Sequence, residues 1–199
     1  MIGKTHILGG VTLATGITLA TGIFIPQNIE DSKTSLLLFG TYLVGAGLGA
    51  ILPDIEKKGS TVSNKAKAVS FFSRVIFSHR GFTHSLLAMA ILCMVLLPVG
   101  FASPNHVLLP FIIGLLIGFD SHLLLDSFNP TGIRLFYPIG FYVSLGKINT
   151  GGFIERLLRV LLFITLVFLL WKTLKGVITV EQIKELFSKV PILDKIIQR

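Results

Sequence analysis

Charge is what this sequence has least of: 14% of its 199 residues are charged, against about 25% in an average soluble domain. Cysteine is almost missing too. The one cysteine, Cys93, sits in an apolar run, which excludes an intrachain disulfide and a cysteine-based zinc site. Also missing are internal repeats, low-complexity segments and the soluble basic face that nucleic acid requires, so no nucleic-acid partner is expected. What replaces charge is apolar surface. Hydrophobic residues make up 52% of the chain, phenylalanine occurs 16 times, and the mean hydropathy is +0.80. That much hydrophobicity excludes a disordered chain. It also leaves too few polar side chains to cover a water-soluble globule. The class is an integral membrane protein: an all-α, multi-pass transmembrane helical bundle of four to five spans, forming a single membrane-embedded domain over 1–199.

A bilayer core takes about 20 residues of helix. Four runs are long and clean enough: 7–25, 36–52, 86–102 and 107–125. A fifth, Val160 to Trp171, is short and needs its flanks, out to 157–174, with Arg159 and Lys172 snorkelling. It is either a fifth span or a half-inserted helix. The first run lacks a signal-peptidase site, and its Gly9, Gly10, Gly16 and Gly22 suit helix packing. Gly45, Gly47 and Gly49 of GAGLGA suit packing as well, since no strand precedes them to make a nucleotide loop. The 26–34 loop has one lysine against two acids. The 53–83 loop has six basic residues against two acids, which places it and the N-terminus in the cytoplasm of a plasma (inner) membrane protein. Residues 177–197 alternate as an amphipathic interfacial helix, and six basic against three acidic residues follow from Lys172 onward. The aromatic stretch Ile133 to Leu145, broken by Pro138 and Gly140, is too interrupted for a span and suits a hairpin dipping into the interface.

On this topology the chemistry-bearing residues converge. His6 precedes the first span, Asp54 and Glu56 follow the second in LPDIE, His79 and His84 lead into the third in SHRGFTHS, and His122 and Asp126 close the fourth in GFDSHLLLDSFNP. Alternating helix directions bring all four segments to the cytoplasmic end, whereas His106 falls at the other. Neutral imidazole and carboxylate are ligands of zinc and manganese sites. His122 and Asp126 at i and i+4 share one helix face. Asp120 lies two residues before His122, about 200° around the helix, so it is expected to cap, to pair with a neighbouring helix or to support the site from behind.

Each residue also has a plainer role to weigh. His6 could anchor at the headgroup level. Asp54 and Glu56 could cap the next element or balance Lys57 and Lys58. His79 and Arg80 are ordinary members of a basic loop, held as candidates for contact with substrate or ligands. His84 and the His122–Asp126 pair are harder to dismiss, because ionisable groups against apolar helices are expensive unless they face a cavity and a partner.

THILGG, LPDIE, HRGFTHS and HLLLDSFNPTGIRLFYP resemble the YdjM-like family of inner-membrane metal-dependent hydrolases, over roughly Thr5 to Pro138. That resemblance implies a multi-pass helical protein with a metal-dependent hydrolase site. HLLLDSFNP is also similar, more weakly, to the H-x-x-x-D-x-x-x-P pattern of the zinc-dependent phospholipase C and P1 nuclease superfamily. This second likeness implies metal ligation by His122 and Asp126 and, by position, by His6, Asp54 and His84. The chain lacks that superfamily's N-terminal tryptophan ligand and has too few histidines for three metals, and it carries Glu56 where an aspartate is often found.

The resulting expectation is a membrane-bound metal-dependent hydrolase of a phosphoester in a lipid or lipid-linked substrate. Its metal, zinc or manganese, would be held by His6, Asp54, His84, His122 and Asp126. Asp54 or Glu56 would act as general base, and Arg80 with Lys57 or Lys58 would hold phosphate. His79 and Asp120 would stand behind the ligands or beside the substrate. Two alternatives use the same cluster: a divalent-cation or proton transporter, and a non-catalytic membrane scaffold with a structural metal. Nothing in the sequence fixes an oligomeric state.

Overall fold

The structure, a computed structural model, describes residues 1–23, 32–56 and 81–175. These residues form five α-helices: α1 (Gly3–Thr21), α2 (Ser32–Gly49), α3 (Leu86–Ala102), α4 (Leu108–Ser127) and α5 (Phe153–Lys175). Two short 3-10 turns, Leu52–Glu56 and Phe82–His84, lead out of α2 and into α3. There is no strand among the described residues. The all-α expectation holds.

α4 packs against α1, α2 and α3, and α5 packs on α1. The tightest seam joins α2 to α4, because neither helix has side chains there to keep the backbones apart. A Cβ on Gly49 would lie 1.9 Å from the Leu115 carbonyl oxygen, and one on Gly118 would lie 2.0 Å from that of Ala46. Gly45 and Gly114 are pressed in the same way against Phe111 and Tyr42. Small residues allow this close approach where apolar surroundings supply no hydrophobic drive between helices. Gly47, on the same helix, faces only Val11 and Ile7 at ordinary contact distance. Gly22 is not a packing residue: it ends α1 at φ 73°, where its N–H bonds the Thr18 carbonyl.

The distribution of polarity is inverted. Thr5, Thr15, Thr18, His6, His84, His122, Asp126 and Glu155 are buried, while Leu48, Met94, Phe101, Phe163, Ile164 and Trp171 stand on the surface. Among the described residues, two helices are long and apolar enough to cross a membrane, Thr34–Asp54 with mean hydropathy 1.9 and Leu108–Ser127 with 2.0. Leu86–Ala102 is apolar but shorter. α1 begins and ends about four residues earlier than the run 7–25 suggests, because Gly22 stops it. α5 extends beyond 157–174 at both ends. The expected interfacial helix 177–197 lies outside the described residues.

Between α4 and α5 the chain turns back on itself. Ile133 and Val143 exchange both backbone hydrogen bonds, so the broken aromatic stretch is a hairpin. Gly132 at φ 62° permits the turn, since a Cβ would meet the Val143 carbonyl at 2.6 Å. Ile133 is buried against Ala88, Phe119 and Leu123, while Phe136, Ile139, Phe141 and Tyr142 are exposed at the tip.

Candidate metal centre

The polar end of the bundle is built by the way each helix stops or starts. At the end of α2, Pro53 has no N–H to continue the ladder. The Asp54 N–H then bonds the Ile51 carbonyl in 3-10 fashion, at 3.2 Å. Ala50 therefore keeps a free carbonyl. His122 of α4 uses it: its Nδ1 lies 2.7 Å from the Ala50 oxygen. A carbonyl only accepts, so Nδ1 carries the proton and Nε2 presents a lone pair. At the start of α3, Ser85 is the cap. Its hydroxyl oxygen accepts the Ala88 N–H and its hydroxyl donates to the Phe82 carbonyl, which fixes His84 just ahead of the helix.

These constraints bring five side chains together. The Nε2 atoms of His122 and His84 face each other at 3.3 Å. His122 Nε2 is 3.7 Å from Asp126 Oδ2, and His84 Nε2 is 3.9 Å from that same oxygen. His6 Nε2 is 3.2 Å from Asp126 Oδ1, and His84 Nε2 is 3.8 Å from Asp54 Oδ1. The His6 and His122 rings stack with centroids 3.8 Å apart. His6, His84 and His122 are fully buried, and Asp126 is 2% exposed. Among the described residues, two overlapping sets could each hold an ion, His6–His122–Asp126 and Asp54–His84–His122, with His122 in both.

The donor set fits a divalent cation on three counts. Four ligands about 2.0–2.1 Å from a zinc ion stand about 3.3 Å from one another in a tetrahedron, close to the separations seen. His122 is oriented by a backbone carbonyl through its other nitrogen, the usual arrangement behind a metal-bound imidazole. His6 Nδ1 is buried with no hydrogen-bond partner, while its Nε2 stands 3.2 Å from Asp126 Oδ1. A buried polar atom without a partner is rare in a native fold, and a cation between these groups would satisfy it. The Met1 amine also contacts Asp126 Oδ1.

The remaining candidates fall elsewhere. Asp120 is exposed and outside both ligand sets. Glu56 ends the 3-10 turn after α2, but its side chain is not among those described. Lys57, His79 and Arg80 lie outside the described residues. His106 is exposed in the connection between α3 and α4, at the opposite end. Sequence reasoning passed over Glu155 altogether. This carboxylate is fully buried at the first turn of α5 and accepts from the Ile2 N–H, the Thr5 hydroxyl and the Gly151 N–H. Burial pushes the acid upward, but these hydrogen bonds outweigh it and hold Glu155 below the usual carboxylate range. The available signal was an acid three residues after the Gly151–Gly152 pair, at the start of an apolar run.

No solved structure matches the chain, so the likeness to the phospholipase C and P1 nuclease superfamily finds no support. A Bacillus subtilis (strain 168) protein, YvsG, described as uncharacterized, is 33% identical over 158 residues, covering 79% of this chain and 86% of its own length. Inner membrane protein YdjM of Escherichia coli (strain K12) is 34% identical over 122 residues, covering 59% of this chain and 60% of its own. The Shigella flexneri protein of the same name matches to the same extent. The family model described as YdjM inner membrane protein covers residues 1–181, which include all the described helices and their polar end, and the chain belongs to that family of membrane proteins.

Proposed function

We propose that this protein is a multi-pass membrane hydrolase whose divalent metal centre, zinc or manganese, cleaves a phosphoester in a lipid or lipid-linked substrate at the cytoplasmic face. One observation carries the metal: imidazole and carboxylate groups from four separate segments are buried with their ligand atoms within 4.8 Å of one another in each set. Uncompensated, such burial of ionisable groups between apolar helices would cost several kcal/mol. The inverted polarity of the helices supports the membrane setting and four to five spans, and the charge of the 53–83 loop supports a cytoplasmic N-terminus.

His6, Asp54, His84, His122 and Asp126 would hold the ion, which supplies Lewis acidity to polarise a phosphoryl oxygen and acidify water. Ala50 keeps the His122 lone pair aimed inward. Asp54 is the most open of the five ligands, its side chain 13% exposed, which suits it to take a proton from water at the rim, with Glu56 the alternative base. Arg80 and Lys57 are the residues whose charge suits a phosphate. A site at the cytoplasmic end of the helices would meet lipid headgroups first, and the exposed apolar tip of the 133–143 hairpin supports the same lipid substrate.

The complete burial of three imidazoles favours one other reading, a closed structural metal in a non-catalytic scaffold. Transport has less support, since the cluster lies at one end of the helices rather than near their midpoints. The deciding experiment measures metal content of the purified protein and then screens phosphatase and phospholipase substrates, with Asp126→Ala as control. Hydrolysis that requires Asp126 and bound metal supports the enzyme. Stoichiometric metal without hydrolysis favours the scaffold, and cation uptake into proteoliposomes favours the transporter.

A further inference from the structure

We propose that Glu155 is a positioning residue for His6, fixing this ligand from another helix through the first turn of α1. The proposal rests on the metal-centre reading above and adds to it a residue outside the ligand sets.

The first turn of α1 is short of anchors of its own. Its N-cap is Ile2, which has no side chain able to cap, and no acidic residue follows in that turn. A helix start leaves backbone donors unpaired and favours negative charge. Glu155 supplies that charge from α5. Its Oε1 accepts from the Ile2 N–H and from the Thr5 hydroxyl, each at 2.7 Å, while Oε2 accepts from the Gly151 N–H. The same carboxylate therefore caps the start of α1 and ties it to the turn that precedes α5. Gly151 reaches back at φ 76°, a conformation that glycine adopts without strain. Arg159, one turn further along α5, closes the arrangement: its Nε donates to Thr5 Oγ1 at 3.2 Å, and its Nη2 lies 4.0 Å from the carboxylate.

His6 directly follows Thr5. Its ring is located by the stack on His122, by the approach of Nε2 to Asp126 Oδ1 and by the backbone that carries it. Whatever sets the first turn of α1 thus sets where His6 Nε2 sits relative to Asp126. The other ligands have independent supports: the Ala50 carbonyl for His122, and Ser85 with the 3-10 turn for His84. Removing Glu155 should therefore weaken the His6 side of the centre and leave the Asp54–His84 side in place.

The test measures the Zn²⁺ dissociation constant of the full-length protein in detergent by chelator competition, for Glu155→Ala alone and in His6→Ala and His84→Ala backgrounds. Glu155→Ala is expected to weaken zinc about 10- to 100-fold, as loss of a partner behind a ligand does. The loss should disappear when His6 is already alanine and persist in full when His84 is alanine. Thr5→Val, which keeps the shape but deletes the hydroxyl's bonds to Glu155 and from Arg159 while leaving the Ile2 N–H on the carboxylate, should give a smaller loss with the same dependence on His6, and it serves if Glu155→Ala fails to fold. Glu155→Gln, which keeps an acceptor oxygen, should recover part of the affinity. An unchanged dissociation constant in Glu155→Ala, or the same loss in both backgrounds, overturns the positioning role while leaving the metal centre standing. Absence of zinc binding in the unmodified protein overturns the metal centre and this inference with it.

Discussion

The α2–α4 seam and the polar end of the same two helices are held by opposite means. In the seam, Gly45, Gly49, Gly114 and Gly118 let backbone touch backbone, and specificity comes from the absence of side chains. At the polar end, His122, Asp126, Asp54 and Ala50 occupy the continuation of those helices, and specificity comes from matching donors to acceptors. The seam fixes the axial register of α4 on α2. That register places the His122 ring under the Ala50 carbonyl. The chemistry is thus tuned by polar contacts but located by glycines one to three turns away.

The largest expected effect is on the seam. Gly118→Val puts its Cβ 2.0 Å from the Ala46 oxygen with no flexible atom to yield. Overpacking of this kind costs about 3 kcal/mol or more. The expected outcome is loss of monodisperse protein in size-exclusion chromatography, with metal binding lost as a consequence. If Gly118→Val folds and binds metal normally, the seam does not set the register.

Asp126→Ala should separate the two regions the other way. Because Asp126 stands near His6, His84 and His122 together, its removal should weaken metal by more than the 10- to 100-fold typical of outer partners. Circular dichroism should still show a folded helical protein. Loss of both helicity and metal would mean the polar end is needed for folding too.

Next in size is the effect of pH. Histidine ligands bind metal only when neutral, so protons compete with the ion. Metal affinity should therefore fall as the pH is lowered. A chelator titration at several pH values measures this, and an affinity independent of pH over the whole range in which the protein stays folded would argue against imidazole ligation.

Gly47→Ala should have the smallest effect. Its Cβ would meet Val11 and Ile7 at 3.7 and 3.8 Å, ordinary contacts. Replacing a mid-helix glycine with alanine favours the helix by about 0.5–1 kcal/mol. A thermal melt should therefore show no loss of stability, whereas Gly49→Ala, one turn or less away, should show a clear one.

The all-helical class, the position of α3 and the packing role of Gly45 and Gly49 were legible because apolar run length and small-residue spacing report directly on local structure. The gathering of His6, Asp54, His84, His122 and Asp126 was legible for a different reason. Alternating helix directions are a topological rule, and the i, i+4 pair is a helix-face rule. Glu155 was not legible, because its partners Ile2 and Thr5 are about 150 positions distant and two of its three donors are backbone N–H groups, which no residue type advertises. The Ala50–His122 link was hidden likewise: Pro53 signals the end of a helix, but which side chain takes the released carbonyl depends on the register of α4. Gly22 looked like packing because a glycine near a helix end serves equally well as a cap.

Metal content of the purified full-length protein tests the central claim most directly. Elemental analysis after dialysis against metal-free buffer should find about one or two equivalents of zinc or manganese per chain, and the Asp126→Ala variant, prepared identically, should lose it. Protein that is folded and helical yet carries no divalent metal, and takes up none when zinc is supplied, would contradict the account.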